Sequence, residues 1–510
     1  MPVHKSQAAK LLSLLCASLL ATLVGAAPSD EDPRIESWGE EWPEYVEMYL
    51  ETRDMSKPTP FGGNVPYSKL IRFPGKTVLW AGYAFALDFN EERGHYYTQI
   101  DQLETKRNDQ AFLNANGLPR FKGQPSACMN CHSGWAPQLI EEMGWETFNS
   151  TPYWATVDKL QAEHGHGTAG AELGSACADC HQPEDMSLRV TRRAYIDAMV
   201  KRGYEADPRA GLKGSAREMR DHVCQQCHVE YYFRGPDNVL TYPWDQWPKG
   251  EPLKIEMIEA YYEAERQRPE GFQADWTHAV TKAPMLKMQH PEAEVTSSGK
   301  HAAMVGCVGC HMPKIERNGK TVTDHAINST LNKLDGCQRC HSNMTEEQIY
   351  QRVYKLQVRN VAALLSADTA ILALIQDVAT VRTELASRKP FSEIADESVR
   401  EAAISEALAT VLNFHRRASM RWDFIGASNS SGAHSPTEAL RVLEQAVSLA
   451  GEGQRALKII AADYGVDLVL TTEPEPPPAP APIEPGNIVG SPPPPITRQA
   501  DKDVQAYMER

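Results

Sequence analysis

The sequence predicts a mainly α-helical chain with little β structure, in which bound prosthetic groups fill much of the core. Three observations carry that expectation. The motif Cys-x-x-Cys-His occurs five times, at Cys128–His132, Cys177–His181, Cys224–His228, Cys307–His311 and Cys337–His341. The gaps between motifs hold short helical stretches broken by many glycines and prolines. Beyond residue 345 the composition changes, and apolar residues recur every three to four positions.

Each motif is read as a haem-attachment site. Cysteines at i and i+3 on a helical turn face the same way, so both sulfurs reach one porphyrin edge. The adjacent histidine then falls under the iron as its proximal ligand. The covalent anchors are Cys128 and Cys131, Cys177 and Cys180, Cys224 and Cys227, Cys307 and Cys310, and Cys337 and Cys340. The proximal ligands are His132, His181, His228, His311 and His341. A single Cys-x-x-Cys is as readily a zinc knuckle or a redox disulfide. With 16 histidines in 510 residues, five such pairs all followed by histidine arise by chance roughly once in thirty million. Ten of the 11 cysteines are used this way, which predicts five c-type haems. Such groups bury large apolar areas, so residues 28–345 need less regular structure than their length suggests.

The chain carries 67 acids and 52 bases, a formal net charge of −15, and haem propionates add to it. Nucleic acid is therefore not an expected partner, and the acidity reads as solubility. Residues 1–27 read as an export signal. His4, Lys5 and Lys10 precede the apolar stretch Leu11–Val24, which is short for a membrane span, and Val24-Gly25-Ala26 offers a cleavage site. An uncleaved anchor is the alternative. Cys16 lies inside the apolar run and belongs to the leader. Haem is joined to cysteine outside the bacterial cytoplasm, so the expected compartment is the periplasm. No other long apolar run stands out, which predicts a soluble mature chain.

Residues 28–75 are rich in proline, glycine and charge and are expected to wrap the surface. Residues 78–91 read as a buried helix or packed turn. Thr345-Glu346-Glu347-Gln348 fits a helix capping box. The following stripe, from Ile349 through Val353, Leu356, Val361, Leu364, Ile371, Ile375, Val378 and Val381 to Leu385, predicts a long helix ending before Pro390. A second helix is expected over about Glu397–Phe424. A third should start at Ser435-Pro436, with the serine as cap and proline at the first helical position. Residues 346–471 thus form a long-helix region, packed on the haem core and suited to a subunit interface. Residues 472–510 are proline-rich and are expected to be disordered.

Ten histidines remain outside the leader and the motifs: His95, His164, His166, His222, His278, His290, His301, His325, His415 and His434. That number suffices to close the second axial position of all five irons. Counting alone does not separate an electron carrier from an enzyme, which must keep one iron open. The third motif runs directly into Glu230 and Tyr231, a carboxylate and a phenol beside a fixed haem edge, where chemistry is expected.

Cys227-His228-Val229-Glu230-Tyr231-Tyr232-Phe233 and Lys282-Ala283-Pro284-Met285-Leu286-Lys287-Met288-Gln289-His290-Pro291 resemble two signature stretches of ammonia-forming cytochrome c nitrite reductase. Cys310-His311-Met312-Pro313-Lys314, Thr323-Asp324-His325 and Arg421-Trp422-Asp423 are similar to that family as well, and the likeness runs from about Leu79 to Leu443. The resemblance implies a mostly helical, dimeric, periplasmic enzyme that reduces nitrite by six electrons to ammonium. It implies Tyr231 and His290 as distal active-site residues, with an arginine before the first motif. Arg107 is the better match for that arginine, and Arg120 is the other candidate. It implies a calcium ion held by Glu230, Gln289, the backbone of Tyr231 and the carbonyl of Lys287; an ammonium cannot ligate a cation. It implies His95, His301, His325 and His434 as distal ligands of four electron-transfer haems. The electron donor would be a membrane-bound haem quinol dehydrogenase or a soluble multihaem cytochrome. One departure stands out: in most of the family the first motif ends in lysine, and here it ends in His132.

Two other readings fit the motifs. One is a multihaem electron carrier without catalysis, which would not need Tyr231, Lys287, Gln289 and His290. The other is a related reductase acting on hydroxylamine or sulfite at the same open iron.

Overall fold

The computed structural model describes residues 28–29, 32–118, 123–477 and 491–510. The expected leader, including Cys16, and Arg120 lie outside the described residues. Short helices and turns dominate up to residue 338, none longer than the 12 residues of Tyr153–His164 and Ile255–Arg266. The sheet structure among the described residues is four two-stranded antiparallel hairpins. The segment expected to wrap the surface instead sends Trp38, Met48 and Tyr67 into the interior. Apolar side chains of this size gain about 1.5–3 kcal/mol each from full burial, which outweighs the local loop-like composition. Within 78–91 the chain makes a helical turn ending at Leu79 and a second turn over Ala84–Ala86, with Leu79 and Trp80 buried.

The long helix spans Glu346–Ala386, 41 residues. Its capping box forms: Gln348 N donates to Thr345 Oγ1 at 3.2 Å, and Thr345 N donates to Gln348 Oε1 at 2.9 Å. Ile349, Val361, Leu364, Ile371, Ile375, Val378, Val381 and Leu385 are buried, as the spacing predicts. Val353 and Leu356 in the same stripe line an internal cavity. One window of this helix is apolar enough to cross a membrane, but 67% of it is buried inside the protein, as in a core helix.

The single helix expected over 397–424 is two, Glu397–Ala407 and Ala409–Gly426. Leu408 leaves helical geometry between them and is fully buried. The next helix, Pro436–Asp463, begins on proline as expected, yet the Ser435 hydroxyl makes no capping bond. The helices Glu346–Ala386, Ala409–Gly426 and Pro436–Asp463 pack on one another and share a core with Trp80, Ile255, Ile258 and Met285.

The expectation of a disordered tail is corrected at its end. Pro495–Met508 is a helix, entered through proline, which is tolerated there. Ala500 and Val504, one turn apart, are buried against Phe61, Val358, Val361 and Ala362. Arg72 pairs with Asp501 at 2.9 Å, and Thr497 Oγ1 donates to the Thr59 carbonyl. Deleting residues 491–510 is expected to cost roughly 2–4 kcal/mol, from the apolar surface uncovered. Thermal unfolding with haem content monitored checks this; an unchanged midpoint would mean the helix does not dock.

Candidate active site

One connected cavity of about 1940 Å³ runs through the first 345 residues and under the long helix. All ten motif cysteines and all five motif histidines line it. Sites for one small ligand occupy about 300–1,000 Å³, so this space suits several large groups. None of the ten cysteines is in a disulfide. Among the described residues no three His, Cys, Asp or Glu side chains cluster as a zinc site requires. Each motif sits on a helix or helical turn, which keeps its two cysteines on one side. Free, cavity-facing thiol pairs, each with its histidine, fit covalently held haem.

The four expected distal histidines each stand opposite one motif histidine. Ring centres are 5.9 Å apart for His181 and His325, 6.0 Å for His95 and His228, 6.1 Å for His311 and His434, and 6.2 Å for His301 and His341. A metal–imidazole bond is about 2.0 Å, so two imidazoles sharing one metal have ring centres about 6 Å apart. His181 Nδ1 donates to the Met186 carbonyl and His325 Nδ1 to the Thr323 carbonyl, both at 2.8 Å, which leaves Nε2 free for metal.

His132 differs. Its Nδ1 donates to the Thr98 carbonyl at 3.1 Å, and its Nε2 faces the Gln102 amide at 3.4 Å. Among the described residues no histidine ring stands opposite it at the spacing of the other four. His164 stacks on Trp135 at 3.9 Å, and neither it nor His166 lines the cavity.

The third motif is the hub. Cys227 Sγ approaches the Asn130 carbonyl of the first motif at 3.9 Å, and Cys180 Sγ of the second approaches the Val223 carbonyl at 3.8 Å. The helices carrying the third and fourth motifs pack together, as do those carrying the fourth and fifth. Gly336 lets the last two close up: a Cβ there would lie 3.0 Å from the carbonyls of Gly309 and Cys310.

Tyr231, Lys287, Gln289, His290 and Arg107 line the same cavity. Three carboxylates hold the extended segment that leads into His290. Lys287 N donates to Asp275 Oδ2 at 2.8 Å, Met288 N to Asp423 Oδ2 at 2.9 Å, and Gln289 N to Glu230 Oε2 at 2.6 Å. The Lys287 ammonium is itself buried and paired with Asp423 at 2.9 Å, so only its carbonyl is free for a cation. Glu230 is fully buried, and its Oε1 has no partner among the described residues. Burial, then the nearby Glu294, pushes its carboxyl well up. Burial also drives Glu294 up to about 8, while its Oε1 accepts from Glu230 N at 3.1 Å. Two buried acids with an unpartnered oxygen fit a hard cation such as calcium.

His290 Nε2 lies 2.5 Å from His228 Nδ1. Burial, then the charges of His132 and Lys69, pushes its imidazole down to about 3. Burial pushes the Tyr231 phenol well up, which keeps its proton on. Arg107 lies over the Phe85 ring at 4.1 Å and donates through Nη1 to the Asp88 carbonyl at 2.5 Å. Its charge reaches both Cys128 and His132 of the first motif.

Sequence reasoning missed Asp275, Glu294 and Gln102, which carry no local signature. Asp423 was within reach, because Arg421-Trp422-Asp423 stood out without a role.

Cysteine pairs on helical turns, opposed histidines and one unopposed motif histidine define a multihaem c-type cytochrome. The chain belongs to the cytochrome c552 family, whose model matches residues 34–481. Cytochrome c-552 of Bacteroides fragilis (strain YCH46) is 34% identical over 439 residues, 85% of this chain and 78% of that protein. Cytochrome c-552 of Parabacteroides distasonis is 33% identical over 441 residues, with the same coverage. A solved structure of the catalytic subunit of cytochrome c nitrite reductase from Desulfovibrio desulfuricans ATCC 27774, described with two calcium sites, superposes with a TM-score of 0.72. It is 28% identical, covering 86% of this chain and 88% of that one.

Proposed function

We propose that this protein reduces nitrite by six electrons to ammonium at the haem of the first motif. The observation that carries the reading is His132, the one motif histidine without an opposed ring among the described residues, in a cavity shared with Arg107, Tyr231 and His290. When bound there, the haem supplies an open coordination position and electrons.

The chain's own groups then have distinct tasks. The Arg107 guanidinium attracts the anion and holds its oxygens. An arriving negative charge favours the protonated form of His290, which takes up a proton from solvent and can pass it to a substrate oxygen. Tyr231 offers a phenolic hydrogen. Glu230 and Gln289, with the carbonyls of Lys287 and Tyr231, would hold calcium and fix the segment that leads into His290. His95, His301, His325 and His434 would close the other four irons, which would confine substrate to the first haem. The hub position of the third motif supports electron flow to the first from either side.

The mature protein is read as periplasmic and dimeric. Val447 and Ile459 on Pro436–Asp463, and Val469 beyond it, are exposed apolar residues that support an interface on the long-helix region. The donor is a membrane quinol dehydrogenase or a soluble multihaem cytochrome.

Ammonium yield from nitrite with a reduced viologen dye tests the function, on protein shown by haemochrome titration to carry five haems. Ammonium should form in stoichiometric amount. Turnover of hydroxylamine or sulfite alone would point to the related reductases, and no turnover to a carrier.

A further inference from the structure

We infer that Asp88 and Phe85 are positioning residues that aim Arg107 at the substrate. The inference rests on the reading of Arg107 given above and adds to it the groups that set its geometry. Asp88 is fully buried and grips three consecutive residues. Its Oδ2 accepts from Thr105 Oγ1 at 2.8 Å and from Lys106 N at 2.6 Å. Its own carbonyl accepts from Arg107 Nη1 at 2.5 Å. Asn90 Nδ2 donates to the remaining carboxylate oxygen at 2.6 Å and fixes the carboxylate plane. The short turn Lys106–Asn108 is thereby fastened to residue 88 at both main chain and side chain.

Phe85 supplies the floor. Its ring lies 4.1 Å under the guanidinium, close enough for a cation–π contact. The ring is itself wedged among Tyr83, Phe89 and Trp80, with centres 5.4, 5.8 and 6.0 Å away. Stacked from below and tied through Nη1, the guanidinium has little freedom to turn. The guanidinium charge is thereby held in one place on the cavity wall. The arrangement thus favours a charged, oxygen-bearing ligand over a neutral one.

The test compares KM for nitrite with KM for hydroxylamine, which is uncharged at neutral pH. Asp88→Ala, Phe85→Leu and Arg107→Ala are each measured on protein carrying its full haem complement. Misplacing a binding group by about an ångström can cost a hundredfold, so Asp88→Ala and Phe85→Leu should raise KM for nitrite about ten- to a hundredfold. KM for hydroxylamine should move by less than about threefold, because loss of packing alone would affect both substrates. If Arg107→Ala shows the nitrite-selective rise and the other two do not, the positioning role is wrong while the role of Arg107 stands. If Arg107→Ala also leaves nitrite unaffected, both fall. Should Asp88→Ala fail to mature, Phe85→Leu decides, since it keeps the Asp88 clasp.

Discussion

Replacing His290 with alanine lowers nitrite turnover by about a hundredfold to ten-thousandfold, the usual contribution of a general acid or base. Haem content stays at five, because no attachment motif includes His290. The size of the effect follows from where the ring sits. His290 is half-buried and lines the cavity together with Arg107 and Tyr231. The segment that leads into it is held by Asp275, Asp423 and Glu230 through three successive N–H groups, so the ring is pre-positioned. Steady-state turnover with a reduced viologen checks this, and wild-type rates in His290→Ala would remove the proposed donor.

Replacing Glu230 with alanine removes calcium and with it at least tenfold of nitrite turnover, the scale seen when groups supporting a metal site are lost. Glu230 is the anionic group of the proposed site, and one of its oxygens is buried without a partner. The other oxygen holds Gln289 N at 2.6 Å, so the change also loosens the residue before His290. Glu230→Gln separates the two effects, because its amide oxygen can still accept from Gln289 N while the charge is gone. Metal analysis should find calcium in wild type and little in either variant. Calcium retained by Glu230→Ala would move the site elsewhere.

What could be read in the sequence was local. Haem attachment needs two cysteines and a histidine within five residues, so the motifs stand out in the chain. The capping box at Thr345 and the stripe from Ile349 to Leu385 are equally local. The likeness around Glu230 and His290 named Tyr231, Lys287, Gln289 and His290, all of which line the cavity. What escaped depends on contacts between distant residues. Which distal histidine faces which motif histidine is set by packing, as His95 with His228 and His301 with His341 show. The carboxylates on residues 287–289 come from positions 230, 275 and 423. The break at Leu408 has no glycine or proline to mark it in the sequence, and Leu408 is fully buried there. The terminal helix was hidden by its prolines, while its anchoring alanine and valine find partners near residues 61 and 361.

The account turns on one haem being open while four are closed. Electron paramagnetic resonance of the oxidised protein, with and without nitrite or cyanide, tests that most directly. One haem signal, that of the site built by Cys128, Cys131 and His132, should change on adding either ligand, and the low-spin signals of the other four should not. Five unresponsive low-spin haems would contradict the open site and the reductase reading together.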